Sequence, residues 1–248
     1  MAERQGRVRE FVESYRRLRL AEGFASADPQ FARRLPFRDL TGRNPGIWRI
    51  RALHYAVIRA CLALLPRSER VLDLGSGNGW LARRLAGGHQ VTAVDVDATD
   101  TGLGALDEPR VRRLRAELEA LPVVDGSFDV VIAAAALHYA GDLLGALAEI
   151  ARVLRPGGVL LLADSPVYAD PLQRHRAWQR TQRYYAGAGT PELAARYRGL
   201  VRTELDGCGL FRFVTISPGF GTLAGGWRAL LGRQDGGARL PVLLGFRR

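Results

Sequence analysis

The apolar positions of this chain follow two periods, and the change between them divides it. Over residues 7–20, Val8, Phe11, Val12, Tyr15 and Leu18 recur at helical spacing, which predicts an amphipathic helix. A Pro-, Gly- and Asp-rich connection follows ("ASADPQ", then "LPFRDLTGRNPG"). A second helix is predicted over 47–65, with Trp48, Leu53, Val57, Ile58 and Leu62 inward and Pro66 as its stop. From there short apolar runs alternate with helical patterns. "RVLDL", "QVTAVDV", "VRRLRAEL", "FDVVIAAA" and "VLLLAD" read as five strands. "GWLARRLAGG" and "DLLGALAEIARVL" read as helices, the latter with Leu143, Leu144, Leu147, Ile150 and Leu154 in register, and "RPGG" reads as a turn. Strands that are apolar throughout, rather than at every second residue, predict a parallel sheet covered on both faces. Residues 172–200 look helical and polar, an insertion or lid, and "LFRFVTIS" and "LPVLLGFRR" supply two late strands.

Composition narrows the class. A chain of 248 residues, 47% hydrophobic and 25% charged, can bury a sizeable core as one domain with additions. No apolar run approaches the roughly 20 residues of a bilayer span. The N-terminus is too charged for the apolar centre of a signal peptide. Cys61 and Cys208 have no metal-ligand spacing around them, so neither a disulfide scaffold nor a metal site is expected, and a reducing cytoplasm is the expected location. All 36 basic residues are arginine, and the net charge is +11. Residues 1–70 carry 15 arginines against 7 acids, 71–170 carry 8 against 14, and 171–248 carry 13 against 4. An acidic middle between basic flanks suggests a catalytic core dressed with additions that attract an anionic partner, unless codon bias alone set the arginine content.

The chemistry concentrates in "VLDLGSGNG", residues 71–79. Ligands of an open parallel sheet bind at the C-terminal strand ends, where these glycines lie. Gly75 and Gly77 allow a tight turn and close approach to a ligand, and Gly79 lets the next helix pack near the strand. The dinucleotide fingerprint G-x-G-x-x-G is broken, because its third glycine comes one residue early and Trp80 takes its place. An acid beside the turn, Asp73, suits an amine-bearing ligand and opposes a pyrophosphate. Asp95, 20 residues after Gly75, stands where a carboxylate accepts the hydroxyls of an adenosine ribose.

With "VTAVDVD", "AELEALPVVDGSFDVVIAAAALHY" and "ARVLRPGGVLLLAD" following in order, the segment 71–164 resembles the class I S-adenosylmethionine-dependent methyltransferases of the small-molecule type 11 branch. The flanks are similar to a bacterial subgroup of it. The resemblance implies a Rossmann-like α/β fold, a seven-stranded, mostly parallel sheet of order 3-2-1-4-5-7-6 with the last strand antiparallel. An N-terminal helical cap (1–66) would precede a methyltransferase domain (67–248) with a helical insertion at about 170–200. It implies S-adenosylmethionine as cofactor, with Gly75, Ser76, Gly77 and Asn78 along the methionine moiety and Asp73 holding the turn. Asp95 would take the ribose, Val96, Glu117 and Leu118 the adenine, and Ala133 and Ala134 the flank of the sulfonium methyl.

His138 and Tyr139 follow the fourth strand, where the family faces its acceptor; they are candidates for proton removal or, as readily, for packing under the loop. His54 is a weaker candidate of the same kind. Tyr15, Trp48, Arg51 and Tyr55 lie in the N-terminal segment, and Asp164, Ser165 and Tyr168 leave the fifth strand; all are candidate acceptor contacts, the aromatics through a cation–π contact or simply as core. The expected reaction is methylation of a small or lipid-like acceptor that the basic lid allows to be anionic. An RNA methyltransferase and a non-catalytic cofactor-binding protein remain alternatives, although "AAAALHY" replaces the N-P-P-Y type of tetrad and no separate RNA-binding module is visible, so nucleic acid is disfavoured. "GGWRALLGR", 225–233, reads as core or as an interfacial helix with Trp227, Leu230 and Leu231 on its apolar side, making peripheral membrane contact.

Overall fold

The computed structural model describes residues 2–66, 68–217 and 238–248. The interfacial-helix candidate at 225–233 lies outside them. Helix α1 (Ala2–Glu22) is followed by α2 (Pro29–Arg34) and α3 (Pro45–Leu64). Then come β1 (Arg70–Leu74), α4 (Trp80–Leu85), β2 (Gln90–Asp95), β3 (Val111–Arg115), β4 (Phe128–Ala134), α5 (Leu143–Val153) and β5 (Leu154–Ala163). The remainder is β6 (Val167–Tyr168), α6 (Pro171–Gly187), α7 (Glu192–Arg196), β7 (Leu200–Val201), α8 (Arg202–Gly207), β8 (Phe211–Ser217) and β9 (Val242–Arg247).

Seven strands form one sheet in the order β3-β2-β1-β4-β5-β9-β8. The first five are parallel, and β9 runs antiparallel to both neighbours. This is the expected order under different numbers, because the two-residue strands β6 and β7 pair separately. Successive residues of each central strand enter opposite cores. Val71, Ala93, Val130, Ile132 and Leu161 pack with α3 and α4, while Leu72, Val94, Val131, Ala133 and Leu160 pack with α5. Both faces are dry, which is why these strands read as unbroken apolar runs.

Three local expectations change. The "RPGG" segment is strand rather than turn: β5 begins at Leu154, directly after α5, and a register shift opposite Phe128 and Val130 absorbs it. Leu53 and Leu144 are exposed, since α3 and α5 each bury a narrower stripe than their apolar content suggests. The connection after α1 holds the short α2, whose N-terminus is capped by the Asp28 side chain with Pro29 in the first turn. Among the described residues, no helix is long and apolar enough to cross a membrane.

A third, smaller core sits above the C-terminal ends of the strands. Leu18 of α1, Tyr185 of α6, and Leu193, Ala194 and Tyr197 of the α7 region pack together there, with Phe11, Tyr15 and Tyr139 against them. It holds α1, α6 and α7 as a roof.

Candidate functional site

Between the roof and the sheet ends lies a cavity of about 270 Å³. Its floor starts where β1 stops. Gly75 has φ +70, and a Cβ there would sit 2.4 Å from the Ala136 Cβ. Only glycine lets the turn lie against the loop after β4. The Gly75 and Ser76 N–H groups donate to the Val94 carbonyl at 2.8 and 3.0 Å, tying the turn to β2. At the end of β2, the Asp95 carboxylate accepts from the Gly77 N–H (2.8 Å) and from the Asp97 N–H (2.9 Å). Burial outweighs these bonds and pushes its pKa up to about 6. The Ser76 hydroxyl is buried in this wall with no hydrogen-bond partner among the described residues.

Gly75, Ser76, Gly77, Asn78, Asp95, Val96, Glu117, Leu118 and Ala134 therefore share one wall. Two of their expected neighbours stand behind it. The Asp73 carboxylate is buried under the start of α4, accepts the Ala82 N–H at 3.1 Å, and is pushed up to about 7 by burial. It holds the turn from below, as a helix-start acid does. Ala133 is fully buried in the core on the α5 side, because alternation along β4 turns Ala134, not Ala133, toward the cavity.

The opposite wall is made of side chains from the roof, from α3 and from the turn after β4. Tyr139 lies at its centre. Its hydroxyl accepts from the Arg19 guanidinium and is 2.9 Å from the Tyr185 hydroxyl. Its ring meets Tyr15 edge-on at 5.4 Å and Tyr197 at 5.7 Å. Burial drives the Tyr139 hydroxyl far above the usual phenol range, so it stays protonated. Arg19 lies 4.8 Å over the Tyr15 ring and pairs with Glu22 at 2.5 Å. Arg51 stacks 4.5 Å over the Trp48 ring. Among the described residues its guanidinium has neither a hydrogen bond nor an ion pair, and burial lowers its pKa.

His138 reaches the cavity, but as a neutral ring. It is buried, its Nδ1 lies 3.1 Å from the Ser165 hydroxyl, and burial together with Arg19 and Arg51 pushes its pKa down to about 3. A proton acceptor at neutral pH needs a much higher value. Three expected acceptor contacts do not reach the wall at all. Ser165 is fully buried against His138. Tyr168 packs beneath Gly199, where an added Cβ would lie 2.1 Å from its ring. Tyr55 belongs to the core, edge-on to Trp80 at 6.2 Å and to Phe37 at 6.0 Å. Asp164 does line the cavity, at φ +56, with its carboxylate 2.6 Å from Nδ1 of the buried His54.

Arg19, Glu22, Arg180, Tyr184, Tyr185 and Tyr197 also line it and were not singled out from the sequence. A signal existed for two of them: Tyr15, Arg19 and Glu22 are spaced i, i+4, i+7, one polar stripe on an amphipathic helix. Among the described residues no cluster of side chains could hold a metal ion.

Residues 72–162 match a protein-family model described as a methyltransferase domain. Over 182 residues the chain is 32% identical to the malonyl-[acyl-carrier protein] O-methyltransferase of Enterobacter lignolyticus, an alignment taking in 70% of this chain and 68% of that protein. It is 34% identical over 117 residues to the dimethylglycine N-methyltransferase of Parasynechococcus marenigrum, covering 44% of this chain and 41% of that protein. Two solved structures share the fold. The YcgJ protein of Bacillus subtilis aligns with a TM-score of 0.62 at 19% identity, over 79% of this chain and 99% of that one. Phosphoethanolamine N-methyltransferase 2 of Haemonchus contortus, in complex with S-adenosyl-L-methionine, aligns with a TM-score of 0.59 at 17% identity, over 78% of this chain and 52% of that one.

Proposed function

We propose, on the premise that this chain belongs to the class I S-adenosylmethionine-dependent methyltransferases acting on small molecules, that its acceptor is a carboxylate methylated on oxygen. The residues at the sheet edge fit the cofactor. The orphaned Ser76 hydroxyl and the glycine turn offer a polar, close-approach cradle for its methionine moiety, together with Asn78. Asp95 would accept the ribose hydroxyls, and Val96, Glu117 and Leu118 would surround the adenine. Ala134 and Ala135, which has φ +58, would flank the methyl. S-Adenosylmethionine brings an already activated methyl group, so the protein's share is to position the acceptor and keep the cleft dry.

The observation that carries the reading is Arg51. A cavity-facing guanidinium with no direct ion pair among the described residues, feeling Asp164 only through space, can take a ligand's carboxylate, and stacking on Trp48 fixes its plane in advance. His138 agrees with this. A carboxylate arrives ionised, so no proton has to be removed, and a ring with a pKa of about 3 removes none at neutral pH. A cationic amine suits the wall poorly, because the cation against the Tyr15 ring is the protein's own Arg19. The relative that O-methylates a malonyl group held on a carrier protein supports the same acceptor chemistry.

The test is product analysis with radiolabelled cofactor, offering malonyl thioesters beside dimethylglycine and ethanolamine. The expected product is a methyl ester from the acid alone, releasing labelled methanol in alkali. Alkali-stable label, or turnover of the amines only, would overturn the reading.

A further inference from the structure

Five arginines line the cavity, and they differ in what holds them. Arg16 pairs with Asp100, and Arg19 with Glu22. Arg196 lies 5.0 Å over the Phe11 ring, and Arg51 stacks on Trp48. Arg180, on α6 in the roof, is the remaining one. Among the described residues its guanidinium has no hydrogen bond or ion pair, and its Nε is buried without a partner. A buried charged donor left in this state is costly unless something else completes it. The acids of the cavity do not supply that partner. Asp95, Asp97 and Glu119 accept backbone N–H groups, Asp164 lies 2.6 Å from His54, and Glu22 is taken by Arg19. Arg51 and Arg180 also act at different places. Burial, Arg19 and Arg51 bear on His138, whereas burial and Arg180 bear on the Tyr168 hydroxyl.

We infer that Arg180 is a second anion site for the acceptor, which is therefore a dianion. One carboxylate, at Arg51, receives the methyl group, and a second oxyanion, carboxylate or phosphate, is held by Arg180. The inference rests on the carboxylate reading above. A guanidinium presents a planar fork of N–H donors that matches either oxyanion. In the transfer, a carboxylate oxygen forms the new O–C bond while the S–C bond breaks, its electron pair staying on sulfur. No proton moves. The product has one negative charge fewer and no longer engages both arginines, so reaction stops at the monoester.

The experiment offers dicarboxylates of three to six carbons, each beside its own monoamide, and 3-phosphonopropionate beside succinate. For at least one length the diacid should surpass its monoamide in kcat/KM by about tenfold or more, with the monoester as product. Arg180→Met should bring that ratio to about one, and Arg196→Met should leave it in place. Preference for the phosphono acid would identify the second oxyanion as phosphate. Equal use of diacid and monoamide at every length, accumulation of diester, or a ratio kept by Arg180→Met overturns the second site. Calorimetry on protein loaded with S-adenosylhomocysteine separates the two ideas. Diacid binding that exceeds monoamide binding, and that Arg180→Met equalises, supports the second site even if no ester forms, an outcome that would sink the carboxylate reading alone. Equal binding of the two by the parent chain, or binding of neither, overturns it. So does a loss of S-adenosylhomocysteine affinity in Arg180→Met, which would assign Arg180 to the cofactor's own carboxylate.

Discussion

The two walls of the cavity are built in different ways. The sheet-edge wall is largely backbone: Gly75 bonds to Val94, and Gly77 and Asp97 to Asp95, all within one strand–turn–helix–strand unit. The roof wall is side chain, and its partners are distant in sequence, with Arg19 reaching Tyr139 and Tyr139 reaching Tyr185. Changing the first wall means breaking the sheet's own connections. Changing the second means exchanging side chains on helices held by a small core. A donor shared by a whole family fits the first construction, and an acceptor particular to each member fits the second.

The comparison breaks most visibly at Asp95. Asp95→Ala removes the acceptor of two backbone N–H groups and, on the proposed function, that of the ribose hydroxyls. Charge-assisted bonds of this kind are worth about 1.5–3 kcal/mol each, so cofactor affinity should fall roughly 100- to 1,000-fold in calorimetry. A loss below tenfold would remove Asp95 from the cofactor site. Arg51→Met should act on the other wall, raising the acceptor KM about 30-fold, on the order of 2 kcal/mol, and leaving cofactor affinity within about threefold. Arg51→Lys should recover only part of this, since an ammonium lacks the planar fork that stacks on Trp48. If Arg51→Met weakens cofactor and acceptor alike, the guanidinium serves the donor wall and the division between the walls moves.

The same division explains what could be read in the sequence. Whereas the strand order followed from the family resemblance, the central strands and the glycine turn were legible because each is a local pattern that the sheet enforces. The acceptor side was not. Tyr55 lies one turn beyond Arg51 on α3, about 6 Å deeper along the axis, which takes it from the cavity into the core. Ser165 follows Asp164, whose left-handed backbone turns the chain, so only the first of the two faces the cavity. Arg180, Tyr184 and Tyr185 sit on a helix that turns polar groups inward, and a periodicity search for apolar stripes passes over such a face.

The smallest expected effect concerns protons. On the sheet-edge wall, Asp95 has a pKa of about 6, and hydroxyl donors from a ribose favour its ionised form. Cofactor affinity should be flat above that pH and fall by up to tenfold per unit below it. On the roof wall, His138 stays neutral from pH 5 to 8, so kcat at saturating cofactor should show no inflection from it. His138→Asn should change kcat by less than about threefold. Stability carries the sign of each group. The pKa of His138 lies below the roughly 6.5 of an unfolded histidine, so the unfolded chain binds the extra proton between those values. Its contribution is a loss of stability as pH falls below about 6.5, about 1.4 kcal/mol per unit. Asp73 and Asp95 are raised, so the folded chain binds more protons at these sites than the unfolded one, and they add stability as pH falls through about 7 and 6. The two walls therefore oppose each other in acid. Removing the histidine leaves only the stabilising side, and the His138→Asn protein should lose less of its melting temperature between pH 7 and pH 5 than the parent does. An equal loss in both proteins would mean that His138 takes up its proton in the folded state, and the roof wall would then contain a titrating base.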